Sequence, residues 1–264
     1  MREIARYYEK DREHDRLTRG LGQVEFVRTL DVLTRVLPPD GTLLDIGGGA
    51  GIYARELLGR GYRVHLLDAM PGHVERARRD ETLASLASLT LGDARALPYP
   101  DAGADAALLL GPLYHLPEAA DRATALAEAR RVLRPGGLVC AAAIPRAAAI
   151  CGDFTRGLND EDYGRPIREE AYQSGRYHNP QARPGYFTTA YFHDPAELRA
   201  ELEAAGFARV VLYALEGSAN LLRDPEAVMA DSVARDGLLA ALRLTELDET
   251  LLSISAHVLA VGRA

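Results

Sequence analysis

The run Leu43-Leu44-Asp45-Ile46-Gly47-Gly48-Gly49-Ala50-Gly51 places a carboxylate at a strand tip, directly ahead of a glycine cluster that opens a helix. Glycines there let the chain bend sharply and let a ligand approach its backbone. In dinucleotide-binding folds such a turn holds a pyrophosphate at the helix N-terminus. Asp45 ahead of the turn would repel a phosphate and suits a cationic ligand, such as one bearing an α-ammonium group. A dehydrogenase would prefer Gly-x-Gly-x-x-Gly without a preceding acid, whereas the spacing here is Gly47, Gly49, Gly51. A triple glycine between Asp45 and Gly51 also speaks against a turn that binds nothing.

Two more carboxylates carry weight. Asp68 ends the apolar run Val64-His65-Leu66-Leu67. A carboxylate at a second strand tip can accept from both hydroxyls of a ribose. It can equally cap the helix that follows Met70-Pro71-Gly72. The distance from the glycine turn favours the ribose. Asp93, in Leu91-Gly92-Asp93-Ala94-Arg95-Ala96-Leu97-Pro98, reads by itself as a turn residue.

The elements that must position these groups alternate along the chain. Strands are expected at 43–46, 63–67, 88–91, 104–110 and 138–143, and helices at 52–58, after Pro71, and at 119–133. Arg134-Pro135-Gly136-Gly137 reads as the turn into the fifth strand. Strands apolar on both faces, separated by helices, point to a parallel sheet covered on both sides. Residues 1–37 read as a helical N-terminal cover, ended by Pro38-Pro39-Asp40-Gly41. Residues 145–190 interrupt the rhythm with Arg, Asp, Tyr, Gly and Pro and read as an inserted lid. Asp194-Pro195 opens a further helix to Ala205, 208–215 is a strand, 218–252 a helical insertion, and 253–261 the last strand.

With these motifs in this order, the chain resembles a class I, Rossmann-like S-adenosylmethionine-dependent methyltransferase of type 11. The resemblance covers residues 40–144 and implies a seven-stranded, mostly parallel α/β sheet with helices on both faces and an antiparallel last strand. Residues 38–264 would form the cofactor-binding domain. It implies that Asp45, Gly47, Gly48, Gly49 and Gly51 hold the methionine part of S-adenosyl-L-methionine. Asp68, with Ala69 and Met70, would bind the ribose, and Gly92, Asp93 and Ala94 would read the adenine edge. Leu110 and Gly111 would face the sulfonium methyl, and S-adenosyl-L-homocysteine would be the product. Val132-Leu133-Arg134-Pro135-Gly136-Gly137 resembles the family's late signature. The family usually places another residue type at position 48.

The loop Leu109-Leu110-Gly111-Pro112-Leu113-Tyr114-His115-Leu116 narrows the chemistry. Adenine-N6 enzymes of the family carry Asn or Asp where Gly111 stands. Cytosine-C5 enzymes use a Pro-Cys nucleophile, and neither Cys140 nor Cys151 follows a proline. Metal-dependent relatives need clustered acids, which this loop lacks, so no metal is expected. Direct in-line transfer to an oxygen or nitrogen of a small molecule remains, with a place in secondary metabolism. His115 is the candidate base, since its ordinary pKa of about 6.5 suits proton transfer near neutrality. It could equally pack or cap a helix starting at Pro117. Tyr114, His115, Tyr191 and His193 are candidate acceptor contacts. His178, Tyr163, Tyr172, Tyr177 and Tyr186 make the lid aromatic, which suits a ringed acceptor or simply fills a small core. Tyr8 and Arg28 are candidate cofactor contacts from the N-terminal cover. Arg28 could instead pair with Glu25, and that is the safer expectation. His14, His65, His73 and His257 read as structural.

Composition sets the outer bounds. Of 264 residues, 47% are hydrophobic and 26% charged, with a net charge of −7. Acidic and basic residues are interleaved, which argues against a nucleic-acid partner. No apolar run suits a membrane span and the first residues lack a signal-peptide pattern, so a cytoplasmic monomer or homodimer acting on a small molecule is expected. Two other functions stay open: a non-catalytic protein that binds the cofactor or its product, and a protein or peptide methyltransferase.

Overall fold

The computed structural model describes residues 16–264. Tyr8 and His14 lie outside the described residues. The chain divides into two compact units. One comprises residues 33–142, 199–211 and 260–264; the other comprises the described residues up to 32, with 143–198 and 212–259.

The first unit is built on β1 (Thr42–Ile46), β2 (Arg63–Asp68), β3 (Ser88–Leu91), β4 (Ala104–Leu109) and β5 (Leu133–Ala143). β8 (Ala208–Ala214) and β9 (Val258–Arg263) complete a seven-stranded sheet in the order β3-β2-β1-β4-β5-β9-β8. β1 runs parallel to β2 and β4, β2 to β3, and β4 to β5. β9 closes the sheet antiparallel to β5, with the Gly136 and Ala264 amides donating to the Ala264 and Gly137 carbonyls at 2.8 Å. Helices α2 (Ile52–Gly59), α3 (Pro71–Arg79), α4 (Ala119–Val132) and α7 (Pro195–Ala204) connect the strands.

The central strands explain why the sheet lies inside. Every residue of β4 is buried, and Leu43, Leu66, Ala106, Leu108 and Val139 are fully covered. A strand apolar on both faces is stable only with layers on both sides. Strand tips then converge at one edge, where loops are free to carry polar groups.

Some boundaries differ from the sequence reading. Arg134–Gly137 does not precede β5 as a separate turn. Leu133 already pairs with Ala104, the register shifts, and pairing resumes at Ala106 with Leu138. Gly136 takes a φ of 81° within that excursion. The last strand starts at Val258 rather than at 253, because Ser255 is buried and its hydroxyl serves backbone amides of a turn.

The second unit carries most of α1 (Gly20–Val36), then α5 (Arg146–Thr155), α6 (Gly164–Ser174) and the two-residue pair β6 (Arg176–Tyr177) and β7 (Ala190–Tyr191). It also holds α8 (Pro225–Ala230), α9 (Ser232–Thr245) and α10 (Glu249–Leu252). Tyr163, Ile167, Tyr177, Tyr186 and Phe192 build a core within residues 145–192. Most aromatic residues of this stretch therefore fill its own interior, whereas Phe154 and Tyr172 are exposed. Val24 of α1 packs with Ala219, Met229 and Leu242. No described helix is long and apolar enough to cross a membrane.

Candidate functional site

Asp45 stands on β1 beside the turn, 1% exposed. Neither carboxylate oxygen has a well-formed hydrogen bond to another described residue, and only the Ala54 amide acts weakly on it. Burial and the charge of neighbouring Asp68 push its pKa up to about 7, against a smaller pull from the Ala54 amide. A buried acid without a partner is costly, so such groups are commonly held for a ligand.

The turn that follows is shaped around that acid. Gly47 has a φ of 70°, and a Cβ there would sit 2.5 Å from Pro112 Cγ. A Cβ at Gly48 would overlap the Asp45 carboxylate and Leu66. In this arrangement any side chain at position 48 would force Asp45 or Leu66 to move. Gly47 and Gly48 donate to the Leu67 carbonyl, at 2.7 and 3.3 Å, which pins the turn to the tip of β2.

Asp68 terminates β2, 5% exposed. Its Oδ2 accepts from the Gly49 amide at 2.8 Å, and its Oδ1 accepts from the Met70 amide at 2.8 Å. The carboxylate therefore ties the glycine turn to the loop entering α3, whose N-cap is Met70 rather than Asp68. His73 Nδ1 lies 3.1 Å from the same Oδ1. This histidine reads as merely structural in the sequence; its place on the first turn of α3, five residues after Asp68, is the signal that points to a larger role.

Asp93 sits in the loop after β3, paired through both oxygens with Arg95 at 3.0 and 2.6 Å. Its Oδ1 also accepts the Arg95 amide, which is the turn chemistry expected of a loop aspartate. Arg95 pairs further with Asp121 of α4 at 3.1 Å. Hydrogen bonds from Arg95 hold the Asp93 carboxyl below its ordinary range.

Gly111 follows β4 and opens a 3-10 turn, Pro112–His115. A Cβ at Gly111 would lie 3.5 Å from the Gly47 carbonyl oxygen, so these two loops face each other. Tyr114 is buried, its hydroxyl donating to the Leu110 carbonyl at 3.3 Å, and its ring meets His115 edge-on at 4.8 Å. The helix after this loop begins at Ala119 with Glu118 as cap, not at Pro117. Asp45, the 47–51 turn, Asp68 with Ala69 and Met70, and Gly111 thus gather at the tips of β1, β2 and β4. Gly92, Asp93 and Ala94 lie beyond the tip of β3.

The remaining expected residues belong to the second unit. Arg28 is 1% exposed and pairs with Asp31 and Glu246, not with Glu25. Glu25 instead takes Arg16 through both oxygens, because the guanidinium of Arg28 is already committed to two other acids. The Tyr191 hydroxyl donates to Glu197 and accepts from Arg146 at 3.2 Å. His193 is 1% exposed, its ring 4.8 Å from that of Tyr191. His257 is not an isolated structural histidine: it lies 2.8 Å from Glu216 and 3.4 Å from Glu25.

The first unit's site fits a ligand with a cationic amino-acid end and a ribose. Asp45 supplies an unpaired buried anion, the glycine turn allows close approach, and Asp68 keeps acceptor capacity at Oδ2.

Comparison with known proteins is consistent with that geometry. Residues 44–141 match the family model described as "Methyltransferase domain". The chain is 38% identical over 104 residues to a malonyl-[acyl-carrier protein] O-methyltransferase of Serratia marcescens, covering 38% of this chain and 37% of that protein. It is 36% identical over 131 residues to a ubiquinone/menaquinone biosynthesis C-methyltransferase of Paracoccus denitrificans, covering 47% of this chain and 50% of that one. The chain thus spans between about a third and a half of these relatives. Among solved structures, an S-adenosylmethionine-dependent methyltransferase from Mesorhizobium loti aligns with a TM-score of 0.60 at 20% identity, over 91% of this chain and 100% of that one.

Proposed function

Since residues 44–141 form a methyltransferase domain of the class I, Rossmann-like kind, whose cofactor is S-adenosylmethionine, we propose that this chain methylates an oxygen or nitrogen of a small-molecule acceptor. The observation that carries the reading is Asp45: buried, unpaired among the described residues, and next to a glycine turn on the tip of β1. A carboxylate in that state is stabilised by a cation that brings its own charge, as an α-ammonium does. Asp68 would accept from the ribose, and Asp93 with Ala94 and Gly92 would border the adenine.

The cofactor supplies an already activated methyl group, so the protein's work is to hold, orient and exclude. The glycine turn lets the backbone close on the amino-acid end. Gly111 brings no side chain between the Gly47 carbonyl and the Tyr114 hydroxyl, so the loop after β4 lies close against the glycine turn. Alignment of nucleophile and methyl accounts for several kcal/mol of barrier lowering, on the order of 7 in favourable cases. His115, at the end of the 3-10 turn, would take the proton of a neutral acceptor. The relatives named above include an O- and a C-methyltransferase, so the acceptor atom must be read from product.

The test is calorimetry with S-adenosylmethionine and with NADH, followed by mass spectrometry of extracts incubated with methyl-labelled cofactor. Micromolar binding of the sulfonium compound and a labelled small molecule are expected. Binding of NADH alone would end this reading.

A further inference from the structure

Counting acceptor sites at Asp68 exposes a conflict. A carboxylate oxygen accepts about two hydrogen bonds in the plane. Oδ1 has both taken, by the Met70 amide at 2.8 Å and by His73 Nδ1 at 3.1 Å. Oδ2 has one taken, by the Gly49 amide at 2.8 Å, and one open. A ribose offers two hydroxyl donors, but the carboxylate has one vacancy. Both amides are fixed by the backbone of the turn and of the loop entering α3. His73 alone is on a side chain that can rotate, and that side chain is 22% exposed against 8% for Asp68.

We propose that His73 is a displaceable plug on Asp68, which a ribose must evict before it can engage both carboxylate oxygens. This rests on the cofactor reading above. His73 thereby sets how strongly the vicinal diol counts in cofactor affinity. Asp68 of β2 is the acid against its ring, and Arg76 follows one turn along α3. Removing the imidazole leaves Asp68 anchored by its two amides, so the strand tip should keep its shape. His73 acts through Asp68 and is a positioning residue rather than a catalytic one.

The experiment is a cycle between residue and ligand. Calorimetry measures S-adenosylhomocysteine and its 2′-deoxy and 3′-deoxy analogues on wild type, His73→Ala and His73→Gln. His73→Ala should bind the full ligand about fivefold more tightly, the worth of one partly exposed hydrogen bond to a carboxylate. With one of the two deoxy analogues that gain should vanish, because a single hydroxyl fits the vacancy already present. His73→Gln, which retains a donor, should stay within about twofold of wild type. Affinity that is unchanged or weaker in His73→Ala, or an equal gain for all three ligands, overturns the plug alone. If neither wild type nor the folded variants bind S-adenosylhomocysteine at all, the cofactor reading falls and the plug with it.

Discussion

Two buried acid clusters in this chain use the same residue types to opposite ends. At the tips of β1 and β2, Asp45 and Asp68 repel each other, and Asp45 has no well-formed hydrogen bond to another described residue. In the second unit, Glu25 and Glu216 flank His257, and Arg16 grips Glu25. Ser255 and the His257 amide also reach Glu216, at 3.0 and 2.7 Å. These three side chains could hold a metal ion by distance alone. Their acceptors are nevertheless met by protein donors, and two anions are balanced by an arginine and a histidine. A cluster that satisfies itself stabilises the fold, and one left short of positive charge is poised for a ligand.

The comparison breaks most visibly at Glu216, which is 0% exposed. Glu216→Ala leaves the His257 ring, the His257 amide and the Ser255 hydroxyl facing a void. A loss of about 3–5 kcal/mol in unfolding free energy is expected by urea denaturation. A loss below about 1 kcal/mol would mean that the cluster holds nothing together.

Asp45→Asn should do the reverse. Affinity for S-adenosylhomocysteine should fall by about a hundredfold in calorimetry, because a desolvated charge pair loses one partner. The ligand-free protein should gain stability. The folded pKa of Asp45 is raised from 3.8 to about 7, so the folded state binds the proton more tightly than the unfolded chain. Its contribution is intact below about pH 4 and is lost as pH rises to about 7, leaving a cost of about 4 kcal/mol above that. The amide that replaces the carboxyl has no charge to acquire. The thermal midpoint of the variant should exceed that of wild type at pH 8 and converge with it at pH 4. An unchanged affinity together with unchanged stability would remove Asp45 from the site.

The same contrast explains what the sequence makes legible. Glycine spacing and strand-tip acids are local, so Asp45, the 47–51 turn and Asp68 can be placed from residue order alone. The strands of the sheet follow from apolar runs buried on both faces. The pairing of Arg28 with Glu246, and of His257 with Glu216, joins residues far apart in sequence, and no period or motif marks such partners. His73 escapes sequence reading for another reason. Histidine next to a helix start has many uses, and only the occupied lone pairs of Asp68 give this one a role. The aromatic stretch at 145–190 shows the limit of composition, since tyrosines that could face a ring instead pack on one another.

The smallest effect sharpens the second cluster. Burial disfavours the charged imidazole of His257, but Glu25 and Glu216 outweigh it and raise its pKa above 6.5. A raised base contributes stability that is complete below about pH 6.5 and fades as pH climbs through the folded value. Glu25 behaves oppositely: Arg16 and His257 overcome its burial and lower its pKa, so its share fades only in acid. His257→Gln should therefore cost about 1 kcal/mol near pH 6 and progressively less as pH rises, the two denaturation curves approaching each other by about pH 9. Asp45→Asn leaves that convergence untouched, because its own window closes near pH 7. A His257→Gln deficit that is the same at both ends of that range would show that the imidazole acts by packing alone, and the charge balance drawn for this cluster would be wrong.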